Sequence, residues 1–503
     1  MILSTHTILF QVAGNTTMPT VSSTGVPNLD AILGGGLPAR TMTAILGVPG
    51  TGKTILAEQI AVHHAKRGER ALIFTALSES HDQMLADLAE LSFADPALIG
   101  DHLRFYSVQS VLDEGLDAVV NLIIDTARAE RASVVVLDGL HGIVGIAKRE
   151  REVTRFLHTL RSRLALLNVT TLVTYETAAG RTDVSGMLTI PDGIIVLHNR
   201  LTDERHHRWI EVSKLRGMAH MDGLHTLTIT GDGVACYPRQ EAAYRPASYE
   251  LAEGRAATGL PELDEMLEGG LNAGTVTFLG GSPGTGKTLT ALHFLMAGVA
   301  AGEPGLFVGL AEGAGQLYAK ASSFGMDLRE AVGRGEVSLL VVPPADVDAD
   351  ILAAAIRARV EELGIKRAAI DPFAVVEQAI PFPKRAPRYV ASLLDYLRER
   401  GVTTLLTQES AAFDGGRIAA TQGAGLADNL MELRWVEYRG RLYRILSVRK
   451  MRLSAFDPGL REFRIEAGAV RVLPLEESGL ATMGGIEAQE HRETRLTRRN
   501  QPE

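Results

Sequence analysis

The chain of 503 residues has little cysteine, few aromatic side chains and no excess of positive charge, and it lacks long apolar runs. Its one cysteine, Cys236, excludes a disulfide framework and indicates a reducing, cytoplasmic environment. No apolar run approaches the ~20 residues that span a bilayer, so we expect no membrane partner. The formal net charge of −9 provides no global field that would attract nucleic acid.

The chain contains an internal sequence repeat. The stretch "TGVPNLDAILGGGLPARTMTAILGVPGTGKT" (24–54) matches "TGLPELDEMLEGGLNAGTVTFLGGSPGTGKT" (258–288) at a constant offset of 234, and "TTLVTYE" (170–176) matches "TTLLTQE" (403–409) at 233. A repeat of this length indicates a duplicated domain. We predict domains at 20–245 and 246–475, an N-terminal extension at 1–19 and a flexible polar tail at 476–503.

Each copy alternates short apolar runs with amphipathic stretches. In the first copy "TMTAIL", "ALIFTAL" and "SVVVLD" resemble buried strands, and "HDQMLADLAEL" and "VVNLIIDTARAE" resemble helices. This order predicts an α/β fold, a mostly parallel sheet with helices on both faces. The later stretch "GIIVLHNRL…RHHRWIEVSKLRG" alternates polar and apolar residues and predicts antiparallel strands added at the end.

Both copies contain a complete phosphate-loop (Walker A) motif, Gly-x4-Gly-Lys-Thr, between a predicted strand and a predicted helix. In such loops backbone amides surround phosphate oxygens, the lysine supplies a charge and the threonine binds Mg²⁺. The predicted ATP-binding residues are Gly47, Gly50, Thr51, Gly52, Lys53, Thr54 and Ile55, and Gly281, Gly284, Thr285, Gly286, Lys287, Thr288 and Leu289. Lys53 and Lys287 are also candidate catalytic residues.

An acid is also expected beside each loop to hold the metal. Asp138 ends "SVVVLD" and Asp371 ends "RAAID", which places each at the carboxyl end of a buried strand, at matching positions in the two copies. Such strand ends lie beside the phosphates in this class of fold. We therefore predict Mg²⁺ sites formed by Thr54 with Asp138 and by Thr288 with Asp371.

With the lead-in "TG[VL]P-x-LD", the two phosphate loops and "KLRGMAHMDG" closing the first copy, the chain resembles the KaiC family of RecA-like P-loop ATPases. The resemblance covers nearly all of 20–470. It implies a homohexameric double ring with ATP between neighbouring subunits, so that residues late in each domain reach the next subunit's site.

Without the resemblance, "KLRG" would be interpreted as an ordinary basic strand end. With it, the residues that match the family's nucleotide-contacting positions are Lys214, Leu215, Arg216 and His220 in the first copy and Arg444, Lys450, Met451 and Arg452 in the second. Phe324 matches an aromatic position that packs on adenine. In the first copy the same position falls on Leu91, or on Phe93 if a small gap is allowed.

The chain departs from the family at two sites. The usual pair of glutamates after the second core strand is reduced to Ser78-Glu79 and Ala311-Glu312, which leaves Glu79 and Glu312 as candidate catalytic bases. Strand alternation would direct these side chains away from the site, so hydrolysis could be slow. The family's autophosphorylated pair falls on Ala424-Gly425, with Thr421 the nearest hydroxyl, so we do not expect protein serine/threonine autokinase activity there.

The leading hypothesis is a ring-forming ATPase whose nucleotide state controls assembly and unidentified signalling partners. Two alternatives remain at this stage, a RecA/RadA-like DNA-dependent ATPase and a nucleotide-dependent scaffold that does not hydrolyse ATP. The charge of −9 and the aromatic content of 5% favour neither DNA nor RNA as a partner. For "IPFPKRAPRYV" (380–390) we predict a solvated loop, with nucleic acid or a protein partner as the alternative contact.

Overall fold

The computed structural model describes residues 20–76, 81–147, 149–177, 186–202, 205–244, 250, 252–409 and 425–475. The predicted extension at 1–19, the predicted tail at 476–503 and the predicted boundary between 245 and 246 lie outside these residues. Backbone contacts divide the chain into two compact units, Met1–Pro238 and Arg239–Glu503. Among the described helices, none has the length and apolar character needed to cross a lipid bilayer.

The elements of the first unit follow the alternation that the sequence predicts. Its strands are β1 (Val21–Ser22), β2 (Leu37–Pro38), β3 (Met42–Gly47), β4 (Ala71–Thr75), β5 (Leu103–Ser107), β6 (Val134–Asp138), β7 (Thr170–Glu176), β8 (Gly193–Thr202), β9 (Arg205–Leu215), β10 (His225–Thr230) and β11 (Gly233–Tyr237). Its helices are α1 (Leu29–Ile32), α2 (Lys53–Lys66), α3 (His81–Ala89), α4 (Gln109–Leu112), α5 (Leu116–Ala129), α6 (Leu140–Ile146) and α7 (Glu150–Leu166), with short 3-10 turns at Pro96–Leu98 and Gly186–Thr189.

The second unit repeats this order. Its strands are β12 (Arg255–Ala256), β13 (Leu271–Asn272), β14 (Val276–Gly281), β15 (Gly305–Gly309), β16 (Val337–Val341), β17 (Arg367–Asp371), β18 (Thr403–Glu409), β19 (Asn429–Tyr438), β20 (Arg441–Met451), β21 (Arg461–Glu466) and β22 (Ala469–Pro474). Its helices are α8 (Gln240–Ala243), α9 (Pro261–Met266), α10 (Lys287–Ala300), α11 (Ala314–Ser322), α12 (Leu328–Gly333), α13 (Ala349–Leu363), α14 (Phe373–Gln378) and α15 (Ala386–Glu399), with 3-10 turns at Pro344–Asp346 and Pro383–Arg385.

Within the described residues each unit has one large sheet of nine strands, and the strand orders correspond. They are β11-β10-β9-β8-β3-β7-β6-β4-β5 and β22-β21-β20-β19-β14-β18-β17-β15-β16. The six strands from β8 to β5 pair in parallel, and β9, β10 and β11 continue the sheet antiparallel. The predicted fold class, two tandem RecA-like domains with late antiparallel strands, is confirmed.

The strand before each phosphate loop is buried along its whole length. All six residues of β3 and all six of β14 are buried, because helices pack on both faces. Alternate residues of β3 therefore belong to different cores, with Ile45 in one and Ala44 and Leu46 in the other. A strand held on both faces provides a rigid support for the loop that follows it.

The segment 380–390 differs from the prediction. It forms a 3-10 turn and then the start of α15, not a solvated loop. Arg385 is 9% exposed and Tyr389 is fully buried, whereas Lys384 and Arg388 are exposed. The prediction was wrong because it interpreted the prolines as loop residues. Proline is also tolerated in the first turn of a helix, which is where Pro387 lies.

Candidate functional site

Each phosphate loop passes from a buried strand to the N-terminus of a helix in only a few residues. Gly50 and Gly52 have φ of 74° and 93°, and Gly284 and Gly286 have φ of 74° and 110°. Only glycine adopts this left-handed backbone without strain. The turn directs backbone amides and the positive end of the helix dipole into one space, which is a site for phosphate.

The two loop lysines are buried and contact their own loops. The Lys53 ammonium donates to the carbonyl of Val48 at 3.0 Å, and that of Lys287 donates to Gly281 and Ser282 at 2.8 and 2.9 Å. Burial lowers the pKa of both lysines, partly offset by nearby carboxylates. A carbonyl dipole compensates an ammonium charge only in part, so an incoming phosphate oxygen is a better partner for either lysine.

The predicted metal ligands lie together at the same sheet edge. The Thr54 hydroxyl lies 3.1–3.2 Å from the two carboxylate oxygens of Asp138, which also accepts from the Thr174 hydroxyl. In the second unit the Asp371 carboxylate accepts from the Thr407 hydroxyl. A carboxylate beside a hydroxyl is a suitable donor set for Mg²⁺, which prefers oxygen ligands. Burial raises the pKa of Asp138, against the opposing effects of the hydrogen bonds from Thr174 and Thr54 and of the Lys53 charge.

A third acid lies in each site that the predictions did not include. Glu176 ends β7, with its carboxylate 4.0 Å from the Lys53 ammonium. Glu409 ends β18 and lines the cavity of the second unit, where it raises the pKa of Lys287 against the larger effect of burial. The signal was present in the sequence, because "TTLVTYE" and "TTLLTQE" both end in glutamate.

The second unit encloses a cavity of about 390 Å³ beside its phosphate loop. Its walls include Gly284, Gly286, Lys287, Thr288, Leu289, Glu312, Lys320, Phe324, Asp371 and Glu409. The predicted metal ligands, catalytic acid and adenine-stacking aromatic of this unit therefore share one cavity with five of the seven predicted loop residues, whereas Gly281 and Thr285 do not line it. Lys320, which the predictions did not include, adds a second cation to its wall.

Glu312 faces this cavity, contrary to the expectation from strand alternation. β15 ends at Gly309, so residue 312 lies in the turn beyond it and a period of two does not apply. Both of its carboxylate oxygens contact the Lys320 ammonium, at 2.5 and 2.7 Å. Its counterpart in the first unit, Glu79, lies outside the described residues.

The first unit has two candidates for the adenine-stacking position, Phe93 and Leu91, and both are among the described residues. The Phe93 ring packs against the hydrophobic core that contains α2, close to the backbone of Gly233. Leu91 is half-buried nearby. Which of the two contacts a base stays a prediction.

Four of the basic residues predicted to act on a neighbour lie at the end of their sheets opposite the phosphate loops. We call this end, where β3, β8, β14 and β19 begin, the far sheet edge. Lys214 is paired with Ile194 at the start of β8, and Lys450 with Leu430 at the start of β19. β8 runs parallel to β3, and β19 runs parallel to β14, with both partners beginning at the same end. At a strand rise of about 3.3 Å per residue, the first residues of β8 and β19 lie about 13 Å along the strand direction from the phosphate loops. Arg216 and Arg452 follow at the same edge. The cations at this edge thus lie away from the nucleotide site of their own unit.

The other predicted contacts are arranged differently. The side chains of Leu215 and Met451 pack into hydrophobic cores, which leaves only their main chains for a ligand. His220 lies in the loop beyond β9, its Nε2 atom 3.7 Å from an Asp222 oxygen. Arg444 donates from Nε to the carbonyl of Gly284 at 3.1 Å, so it lies against the phosphate loop of its own unit.

Trp435 supports Arg444 in this contact. The guanidinium lies 4.3 Å from the centre of the indole ring, and the indole N–H donates to the carbonyl of Pro283 at 3.2 Å. Arg444 and Trp435 are directly opposite one another on β20 and β19. Together they hold one side of the second phosphate loop.

Comparison with known families accounts for this duplicated arrangement. The profile of the KaiC ATPase family matches residues 22–241 and again 256–477. The chain belongs to the KaiC ATPase family. It is thus an ATPase with the nucleotide-binding domain duplicated, and the predicted family is confirmed.

Individual KaiC proteins are similar along almost the whole chain. The circadian clock oscillator protein KaiC of Picosynechococcus sp. is 29% identical over 463 residues, which cover 89% of this chain and 88% of that protein. Circadian clock oscillator protein KaiC 1 of Synechocystis sp. is 29% identical, covering 88% and 87%. That of Parathermosynechococcus lividus is 28% identical, covering 89% and 84%.

Most of the segment that was predicted to match the family's autophosphorylated pair lies outside the described residues. Ala424 and Thr421 lie outside the described residues, and Gly425 is exposed just before β19. Neither Ala424 nor Gly425 has a hydroxyl, whatever their conformation.

Proposed function

We propose that this KaiC-family ATPase binds Mg·ATP at two sites per chain. Lys53 and Lys287 would contact the phosphates, while Thr54 with Asp138 and Thr288 with Asp371 would hold the metal. The observation that carries the proposal is the coincidence, in both units, of a glycine-turned loop, a buried lysine and a strand-end carboxylate. Phe324, on the wall of the second cavity, would stack on the adenine.

We further propose that chains assemble into a homohexamer in which each nucleotide lies between two copies. The support is the position of Lys214, Arg216, Lys450 and Arg452, at the sheet edge away from their own phosphate loops. Cations there are available to the γ-phosphate bound by an adjacent copy, in the manner of an arginine finger. His220 would join the first pair, and Arg444 would instead support the loop of its own unit.

The nucleotide state of such a ring would control assembly and the binding of signalling proteins in the cytoplasm. Hydrolysis would be slow in the second unit, because the Glu312 carboxylate is held by Lys320. A scaffold that binds ATP without hydrolysis is the second candidate, and this ion pair is the observation that favours it. A DNA-dependent motor has less support, because Arg385 and Tyr389 of the basic segment are buried.

The deciding experiment measures oligomer mass with and without Mg·ATP, together with ATP turnover with and without single-stranded DNA. We expect a mass near six chains that depends on Mg·ATP, and a slow turnover that DNA does not change. Lys53→Ala and Lys287→Ala should each remove nucleotide binding from one unit. A protein that remains a monomer at saturating Mg·ATP would overturn the shared-site proposal, and assembly without turnover would establish the scaffold.

A further inference from the structure

A buried carboxylate connects two arginines at the far sheet edge of the first unit. Asp192 accepts two hydrogen bonds from Arg161 on α7, from Nε at 2.8 Å and from Nη2 at 2.7 Å. On its other side the same carboxylate lies 3.7 Å from Nη1 of Arg216. Arg216 is one of the cations proposed to reach a neighbour.

The second unit has the same arrangement, built from equivalent residues. Asp428 accepts from Nε of Arg398 on α15 at 2.9 Å and lies 3.6 Å from Nη1 of Arg452. Asp428 and Arg452 are each 236 residues beyond Asp192 and Arg216. The relationship between acid and arginine is therefore repeated in both units, although sequence reasoning had singled out neither acid.

The acid is held firmly to the central strand in both units. Asp192 accepts from the backbone amide of Met42 at 3.2 Å and donates its own amide to the Met42 carbonyl at 2.8 Å. Asp428 makes the same two contacts with Val276, at 3.0 and 2.9 Å. A carboxylate with these backbone bonds and a hydrogen-bonded guanidinium partner has little freedom to move.

The residues just before each acid position the neighbouring lysine. The Lys214 ammonium donates to the carbonyl of Pro191 at 2.6 Å, and the Lys450 ammonium donates to that of Ala427 at 2.7 Å. One short segment thus contacts both cations of its unit. If the acid only neutralised Arg161 or Arg398, a second guanidinium at the same carboxylate would not be needed. In both units a second guanidinium is nevertheless present, that of Arg216 or Arg452.

We propose that Asp192 and Asp428 are positioning residues that hold Arg216 and Arg452 in the orientation needed to contact the nucleotide of a neighbouring copy. The two arginine side chains are about half exposed, at 53% and 51%, so the acid reduces the number of rotamers that they sample. Arg216 also donates from Nη2 to the carbonyl of Thr189 at 3.3 Å. The inference rests on the proposed shared site. It adds that the neighbour's contribution depends on an acid that touches no nucleotide itself.

The first test compares Asp428→Asn with Asp395→Asn in the full chain. Asp395 also pairs with Arg398, at 2.8 Å, and its contacts do not include Arg452, so it is a matched control. In a Lys53→Ala background, which confines turnover to the second unit, we expect Asp428→Asn to lower kcat for ATP about tenfold, because a misplaced catalytic contact costs rate, with KM nearly unchanged. Asp395→Asn should leave both constants close to those of the wild type. Equal losses in the two variants would overturn the inference.

The second test uses mixed rings, since a positioning role across the interface can be complemented. Copies with Lys287→Ala have an intact Asp428 but no phosphate-loop lysine in the second unit, and copies with Asp428→Asn have the reverse. The two variants are mixed in equal amounts without nucleotide and then assembled with Mg·ATP. With random head-to-tail pairing, about one quarter of the second-unit sites should combine an intact phosphate loop from one copy with an intact Asp428 from its neighbour. Turnover should then exceed the mean of the two parent proteins.

A parallel mixture of Lys287→Ala with Arg452→Ala separates this inference from the shared-site proposal. No gain in that mixture would reject the shared site itself. A gain there, without one for Asp428→Asn, would reject only the positioning role and show that Asp428 acts within its own unit. Should Asp428→Asn fail to fold, Asp428→Glu, which keeps a charge for Arg398, replaces it in both tests with the same two outcomes.

Discussion

The Lys320 ammonium contacts both carboxylate oxygens of Glu312 on the wall of the second cavity, at 2.5 and 2.7 Å. A carboxylate that is engaged in this way cannot readily accept a proton from an attacking water. We predict that Lys320→Gln, tested in a Lys53→Ala background that removes first-unit turnover, raises ATP turnover by the second unit about tenfold, a part of the roughly 10²–10⁴-fold that a positioned general base contributes. Steady-state phosphate release measures the change.

The control for this prediction is the double variant Lys320→Gln with Glu312→Gln. If the freed carboxylate causes the gain, the double variant should lose it. Lys320→Arg, which keeps an ion pair, should behave like the wild type. A fall in turnover with Lys320→Gln alone would instead indicate that Lys320 binds the phosphates.

Asp138 should reduce the stability of the protein without nucleotide. Burial raises its folded-state pKa above the value in the unfolded chain. The free energy of unfolding should therefore fall as pH rises from the unfolded pKa, about 4, through the folded value, and the cost is fully present above the folded value. We predict that Asp138→Asn removes this dependence and raises Tm at pH 7, by about 2–4 °C per kcal/mol recovered.

Calorimetry between pH 4 and 7, with and without Mg·ATP, checks this prediction. The variant should be more stable than the wild type without nucleotide, yet gain less from Mg·ATP, because a proposed metal ligand is lost. A lower Tm for the variant at pH 7 would contradict it. Such an exchange between stability and binding is expected at functional sites.

Two adjacent glycines of β14 should respond differently to alanine. A Cβ on Gly281 would lie 2.4 Å from the carbonyl oxygen of Leu433, whereas one on Gly280 would have its nearest neighbour at 3.7 Å. We predict that Gly281→Ala destabilises the second unit by about 1–3 kcal/mol, as overpacking commonly does, and that Gly280→Ala changes it far less. Urea unfolding of both variants provides the measurement, and similar midpoints would contradict the prediction.

Arg385 should be essential to the second unit for structural reasons. Its guanidinium binds the carboxylates of Glu241 and Asp350 at 2.7–3.1 Å and is 9% exposed. Burial acts to raise the pKa of Glu241, but Arg385 lowers it overall. We predict that Arg385→Met costs about 3–5 kcal/mol, since it leaves the buried Asp350 and the half-buried Glu241 without the guanidinium that they share.

Arg388, three residues further on in the first turn of α15, is exposed and serves as the matched control. Arg388→Met should change the urea midpoint little, because an exposed charge contributes little to stability. If the two variants unfold alike, Arg385 is not the structural residue inferred here.

How far the sequence could lead depended on whether a pattern was local or repeated. The loops at Gly47 and Gly281 could be predicted because their chemistry lies within eight consecutive residues, and Asp138 and Asp371 because a strand end is readable from apolar periodicity. Glu176 and Glu409 could have been found in the same way from the repeated strand that they end. The start of α15 was missed because a proline near a helix start looks the same in sequence as a proline in a loop.

The sequence by itself determined the family, the duplication, the order of strands and helices and the phosphate-loop motifs. Each of these depends on residues close together in the chain or on a spacing that is repeated in the second copy. Only the tertiary structure decided that Lys320 holds Glu312, that Asp192 and Asp428 each join two arginines, and that Arg444 serves its own loop. These relationships join side chains from different elements, and their geometry depends on where strands end and which sheet edge they share. No periodicity in the chain encodes those positions.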